Sequence, residues 1–212
     1  MTRIIMIRHD ETEWNQLGIY QGQLNSNLTE NGRNQAIAIA QRLQNHKFDC
    51  LYSSDLGRAQ ETAQPISKAC NLSLQLEKGL RERNYGIFEG LEKNRVADVH
   101  SEAYISHKTN DPHYVIPNGE SMFQFQKRVW KCVETLAKKH EEKSIIIVTH
   151  GGTIAAIIYK ILSIDLSTKR PFSTLNTSYN EIYQSENRWK LKILGDTSHL
   201  FYAGYDLSLI HI

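Results

Sequence analysis

Two short runs, Arg3-Ile-Ile-Met-Ile-Arg8 and Ser144-Ile-Ile-Ile-Val-Thr149, limit most tightly what this chain can fold into. The first is nearly continuous in apolar residues, as a strand covered on both faces must be, and the second is the most strand-like segment present. Helical spacing fills the chain between them. Thr29 is placed to cap a helix over about 30–46, whose apolar set is Ala36, Ile37, Ala40 and Leu43. Residues 49–53 read as a second short strand. A helix over about 57–70 carries Ala59, Ala63, Ile66 and Cys70 on one face. Another, over about 120–140, repeats Met122, Phe125, Val129, Val133 and Leu136 at threes and fours. Gly151-Gly152 turns the second apolar run into a helix ending near Leu162. Segments 178–184 and 188–194, parted by Ser185-Glu186-Asn187, alternate as a hairpin does. This order is an α/β pattern with a mainly parallel sheet. The stretch 83–117 stands apart: it is polar, rich in His and Asn, and closed by Pro112 and Pro117. It is expected to lie over one domain spanning 1–212, as a cap-like insertion at about 83–120.

The 212 residues carry a net charge of only +2, which supplies no broad field for nucleic acid or an anionic membrane. No basic stripe with interleaved aromatics occurs. Any anion is therefore caught locally, by a few placed residues. Cys50, Cys70 and Cys132 are scattered without C-x-x-C spacing, so neither a disulfide framework nor a zinc site is expected. The first apolar run holds four residues, too few for a signal peptide, and nowhere do roughly 18 apolar residues follow one another. A cytoplasmic protein is the expectation, with no membrane partner and an unassigned oligomeric state.

In open parallel sheets, ligands bind outside the carboxyl ends of the strands. Here those ends carry His9, Ser53-Ser54 and His150. A lone strand-end histidine is usually structural, and an arginine in a first helical turn is usually solvated. Together, Arg8-His9, Arg58 and His150-Gly151-Gly152 say more. Guanidinium groups offer paired donors to phosphoryl oxygens, and a Gly-Gly helix start leaves backbone N–H groups for an anion.

Arg8-His9-x-Glu11-Thr12-x-Trp14-Asn15 resembles the opening motif of the histidine phosphatase superfamily, the phosphoglycerate mutase-like enzymes. The resemblance runs on through Gln21-Gly22, Leu28-Thr29 with Gly32 and Gln35-Ala36, and Ser53-Ser54-Asp55-Leu56-x-Arg58-Ala59 with Thr62-Ala63. It continues through Leu80-x-Glu82 with Gly86 and Glu89-Gly90, Pro117-x-Gly119-Glu120-Ser121, Thr149-His150-Gly151-Gly152, and Asn176-Thr177-Ser178 with His199-Leu200. It implies a three-layer αβα sandwich and a small phosphorylated metabolite as substrate, with no metal or other cofactor. It implies His9 as a nucleophile passing through phosphohistidine, and Arg8, Arg58 and His150 as holders of the phosphoryl oxygens. Glu82 is implied as general acid and then base, ahead of Glu89, which otherwise reads as a solvated carboxylate. Asn15, Gln21, Gly22, Arg83, Tyr85 and Gly151 are the implied substrate contacts.

Two departures from the pattern stand out. Asp10 follows the nucleophile where the family usually has Gly or another small residue, and a carboxylate there would repel phosphate unless it points away from the pocket. Asn25 and Asn27 replace the more usual Asp and Pro and are expected to alter a turn. The insertion offers Arg83, Lys93, Arg95 and Lys108 without a paired Arg-Arg, which favours a phosphatase of small phosphomonoesters. Against that, Glu82-Arg83-Asn84-Tyr85-Gly86 resembles the loop of a mutase. A phosphoglycerate mutase primed by 2,3-bisphosphoglycerate is therefore the alternative, and a non-catalytic phosphate-binding protein the third reading.

Overall fold

The computed structural model describes residues 1–186 and 188–202. Asn187 of the expected hairpin turn, and the end of the expected domain at 203–212, lie outside the described residues. Six strands make one sheet: β1 (Thr2–Arg8), β2 (Cys50–Ser53), β3 (Leu74–Leu76), β4 (Ser144–Thr149), β5 (Tyr179–Ser185) and β6 (Arg188–Asp196). The helices are α1 (Glu13–Gln16), α2 (Glu30–Leu43), α3 (Gly57–Cys70), α4 (Val96–Val99), α5 (Ser101–Lys108), α6 (Met122–Lys139), α7 (Gly151–Ile161) and α8 (Ser198–Tyr202). Strand order is β3-β2-β4-β1-β5-β6. The first four are parallel, β5 runs antiparallel to β1, and β6 is antiparallel to β5.

The unbroken apolar runs are explained by what covers them. Along β1, Ile4 and Met6 pack with Phe125, Val129 and Val133 of α6 and Ile154, Ile157 and Ile158 of α7. Ile5 and Ile7 pack on the opposite face with Ile39 and Leu43 of α2 and Ala59, Ala63 and Ile66 of α3. All four β1 side chains are fully buried. Each such burial contributes about 1.5–3 kcal/mol, so a polar residue on either face of β1 would be costly. The result is the expected αβα sandwich with a mainly parallel sheet.

Several boundaries differ from expectation. The first long helix ends at Leu43, three residues early, because the polar Gln44-Asn45-His46 offers nothing to bury. The edge strand β3 was too short to show a period. Inside the insertion, α4 and α5 form with Phe88, Val96 and Ile116 as a small buried cluster of their own, packed against Tyr20 and Tyr85. The spacing of α5 hides this, since none of its residues is fully buried. No helix among the described residues is long and apolar enough to cross a membrane.

Candidate active site

Strand register assembles the site. Arg8 pairs with Thr149 and Ser53 with Val148, so His9, Ser54 and His150 leave the sheet side by side. The His9 amide donates to Thr149 O at 2.8 Å, and Asn176 Nδ2 donates to His9 O at 2.8 Å. The two imidazoles lie with ring centroids 5.3 Å apart. His9 Nδ1 lies 2.7 Å from Asp10 O. A carbonyl only accepts, so this contact places the ring proton on Nδ1 and leaves Nε2 with a free lone pair. Burial, reinforced by Arg58 and Arg8, holds the His9 pKa well below its ordinary 6.5. The ring is neutral, with that lone pair available.

A cavity of about 280 Å³ opens over His9, lined by Arg8, Asn15, Gln21, Gly22, Arg58, Glu82, Tyr85 and Gly151 among the expected residues. The cations are fixed by backbone. Arg8 Nη1 donates to Thr174 O at 2.6 Å, while Arg58 donates to Leu24 O at 2.7 Å and Gly22 O at 2.8 Å. Burial brings both guanidinium pKa values down to about 10, with Glu82 acting in the opposite direction, and both remain charged. The Nε atoms of Arg8 and Arg58 and Nδ1 of His150 are buried without a protein partner, as is Gln21 Oε1. An unsatisfied buried donor costs about 1–3 kcal/mol, and the two unpartnered guanidinium Nε–H groups in this cavity wall suit an acceptor-rich anion. His150 sits behind His9 rather than in the cavity wall, with Nε2 2.8 Å from Ser54 Oγ.

Glu82 faces this cradle from the other side. Its Oε1 accepts from the Arg83 amide at 2.8 Å and its Oε2 from the Gly152 amide at 2.9 Å. The glycine pair therefore serves differently from expectation: the Gly152 N–H is given to Glu82, and a Cβ at 152 would collide with that carboxyl group. Glu89 is not solvated either. Its Oε1 accepts from the amides of Gln23 (2.9 Å) and Tyr85 (2.8 Å), tying two loops together.

Two expectations, those for Arg83 and Asn25, need correcting. Arg83 does not reach the cavity: it is buried, donates through Nε to Glu120 O at 3.0 Å, and lies over the Tyr85 ring. Asn25 does more than shape a turn. Its Oδ1 accepts the Arg58 amide at 2.9 Å, capping α3, whose N-cap Leu56 has no side chain able to do so. His199 lies away from the cavity, beside Arg42. Two cations in the cavity wall escaped the sequence reading as site residues, Lys93 and Arg170. The basic pair Lys169-Arg170 just after the α7 segment was the available signal. Asp10 is fully buried, is absent from the cavity wall, and both its carboxyl oxygens lack partners. Burial raises its pKa well above 3.8, so it presents no anion to the site. Among the described residues, no group of three or more His, Cys, Asp or Glu side chains is placed to hold a metal ion.

The model of the histidine phosphatase superfamily (branch 1) matches residues 4–197. This chain belongs to that superfamily. Histidine phosphatases similar to it include a metal-independent phosphoserine phosphatase of Arabidopsis thaliana, 38% identical over 97% of this chain and 86% of the relative. The phosphoglycerate mutase-like protein 4 of the same plant is 35% identical over 95% and 88%. A mutant phosphoserine phosphatase from Entamoeba histolytica, solved in complex with phosphoserine, superposes with a TM-score of 0.83 at 32% identity, over 94% of this chain and all of that one.

Proposed function

We propose that this histidine phosphatase hydrolyses a small phosphomonoester through a phosphohistidine at His9. The observation that carries the reading is the neutral His9 ring, its proton tied to Asp10 O, between two backbone-held guanidinium groups and opposite Glu82. The Nε2 lone pair attacks phosphorus and the P–O ester bond breaks. The Glu82 carboxyl proton passes to the leaving oxygen, and the alcohol departs. Glu82, now a carboxylate, takes a proton from water as the water oxygen attacks phosphorus. The P–N bond breaks, His9 returns neutral, and Glu82 is again protonated. Arg8 and Arg58, the guanidinium groups of the cavity wall, balance the charge on the equatorial oxygens throughout.

Lys93 and Arg170 favour a substrate with a second anionic group, of the kind phosphoserine carries. The phosphoserine phosphatase names among the relatives support hydrolysis over isomerisation. Of the two residues of the mutase-like loop that could contact a carboxylate, Tyr85 lines the cavity while Arg83 donates to Glu120 O. The reading takes the described residues as a single catalytic domain with 83–120 as its cap, acting in the cytoplasm; the three unpaired cysteines suit a reducing compartment.

Phosphate release is to be measured across small phosphomonoesters, phosphoserine included, beside 3-phosphoglycerate with its bisphosphate. Release across the panel, abolished in a folded His9→Ala variant, is expected. Isomerisation without release would establish the mutase instead, and a fully active His9→Ala would remove the nucleophile.

A further inference from the structure

Glu82 sits on a segment with little regular structure of its own, one 3-10 turn over Lys78–Leu80 followed by extended chain. Something must set where its backbone lies. We infer that Arg128, in the middle of α6 and outside the cavity wall, is the positioning residue for the Glu82 acid. A guanidinium has five N–H donors in one plane, and here all five are used. Nη1 donates to Gly79 O at 3.0 Å and Arg81 O at 3.1 Å, and Nη2 to Glu82 O at 3.1 Å. Nε and Nη2 also donate to the two carboxylate oxygens of Glu120, each at 2.9 Å. Glu120 then holds the far side of the acid: its Oε2 accepts the Asn84 amide at 3.0 Å, and its carbonyl accepts Arg83 Nε at 3.0 Å. The backbone is thus gripped before, at and after Glu82 by one planar group and its counter-ion. Lysine, with three donors on a tetrahedral nitrogen, cannot reproduce this fork.

The inference rests on Glu82 as general acid, and leaving-group dependence separates the two claims. A misplaced acid slows expulsion of a poor leaving group and scarcely affects a good one, whereas general loosening of the fold slows both. Full-length Arg128→Lys and Arg128→Ala, checked for folding by circular dichroism at the assay temperature, are compared by kcat/KM on glycerol phosphate and p-nitrophenyl phosphate. Both variants should lose about 10-fold or more on the alkyl ester and less than about 3-fold on the aryl ester. Arg128→Lys added to Glu82→Gln should cost nothing further. Equal losses on the two esters, or additive effects with Glu82→Gln, would overturn the role of Arg128. If Glu82→Gln itself shows no leaving-group dependence, it is the acid assignment that fails. Should both arginine variants unfold, Glu120→Gln weakens the same clamp from its other end and must give the same pattern in milder form.

Discussion

Asp10 shows how one side chain can look damaging in sequence and be harmless in place. It follows His9 directly, yet only its carbonyl serves the site, by holding the proton on His9 Nδ1. The carboxyl group is fully buried with neither oxygen partnered, and burial first, then Glu61, raises its pKa. A raised folded pKa means that the unfolded chain ionises above 3.8 while the folded chain does not. Folding stability from this group is therefore complete below that value and lost as pH rises towards the folded pKa. Asn is nearly the same shape and does not titrate. The melting temperature of Asp10→Asn should exceed that of the parent by a margin that widens from pH 4 to pH 8. A constant difference across that range would show an ionised, accommodated Asp10. His9 and His150 act in the opposite sense: their depressed pKa values mean that acidification below 6.5 protonates the unfolded chain first.

Among the elements, the start of α7 couples helix to chemistry most tightly. Gly152 gives its amide to Glu82, and its missing Cβ is the space in which that carboxyl group rests. Alanine is the better helix former by about 1 kcal/mol, so Gly152→Ala should leave stability equal or slightly improved. The flexible end of Glu82 would give way to the new methyl group, and kcat/KM should fall by about 10-fold or more. A variant with the parent's kcat/KM would show that Glu82 is not confined there. At this scale much was legible in the chain. The β1 and β4 runs, the cap at Thr29 and the α6 spacing are local patterns with local causes. The edge strand β3 and helices α4 and α5 were not, because three residues show no period and α5 buries no residue fully.

For the whole molecule, parts far apart in sequence meet at the mouth of the cavity. Lys93 comes from the insertion, Arg170 from the segment after α7, and the tilted rings of Tyr20 and Tyr85, centroids 5.0 Å apart, join the insertion to the early loop. Arg170 is exposed, so its attraction is modest and screened by salt. Arg170→Gln should raise KM roughly two- to fivefold for an ester bearing a carboxylate and leave an uncharged alkyl phosphate less affected. The difference should shrink in high salt. Equal effects on both esters would mean that Arg170 serves the phosphate alone.

The chain by itself determined the layered sheet and the histidines at its strand ends, and pointed to Arg8, Arg58 and Glu82, which line one cavity, because burial pattern and motif spacing are properties of neighbours in sequence. The tertiary structure alone decided which cations line the cavity. Arg83 turns to Glu120, Arg170 enters the wall, Asn25 caps a helix 33 positions away, and Arg128 grips the acid loop. A hydrogen bond depends on distance and direction in space, and nothing in the spacing along a chain encodes which distant carbonyl a donor will meet.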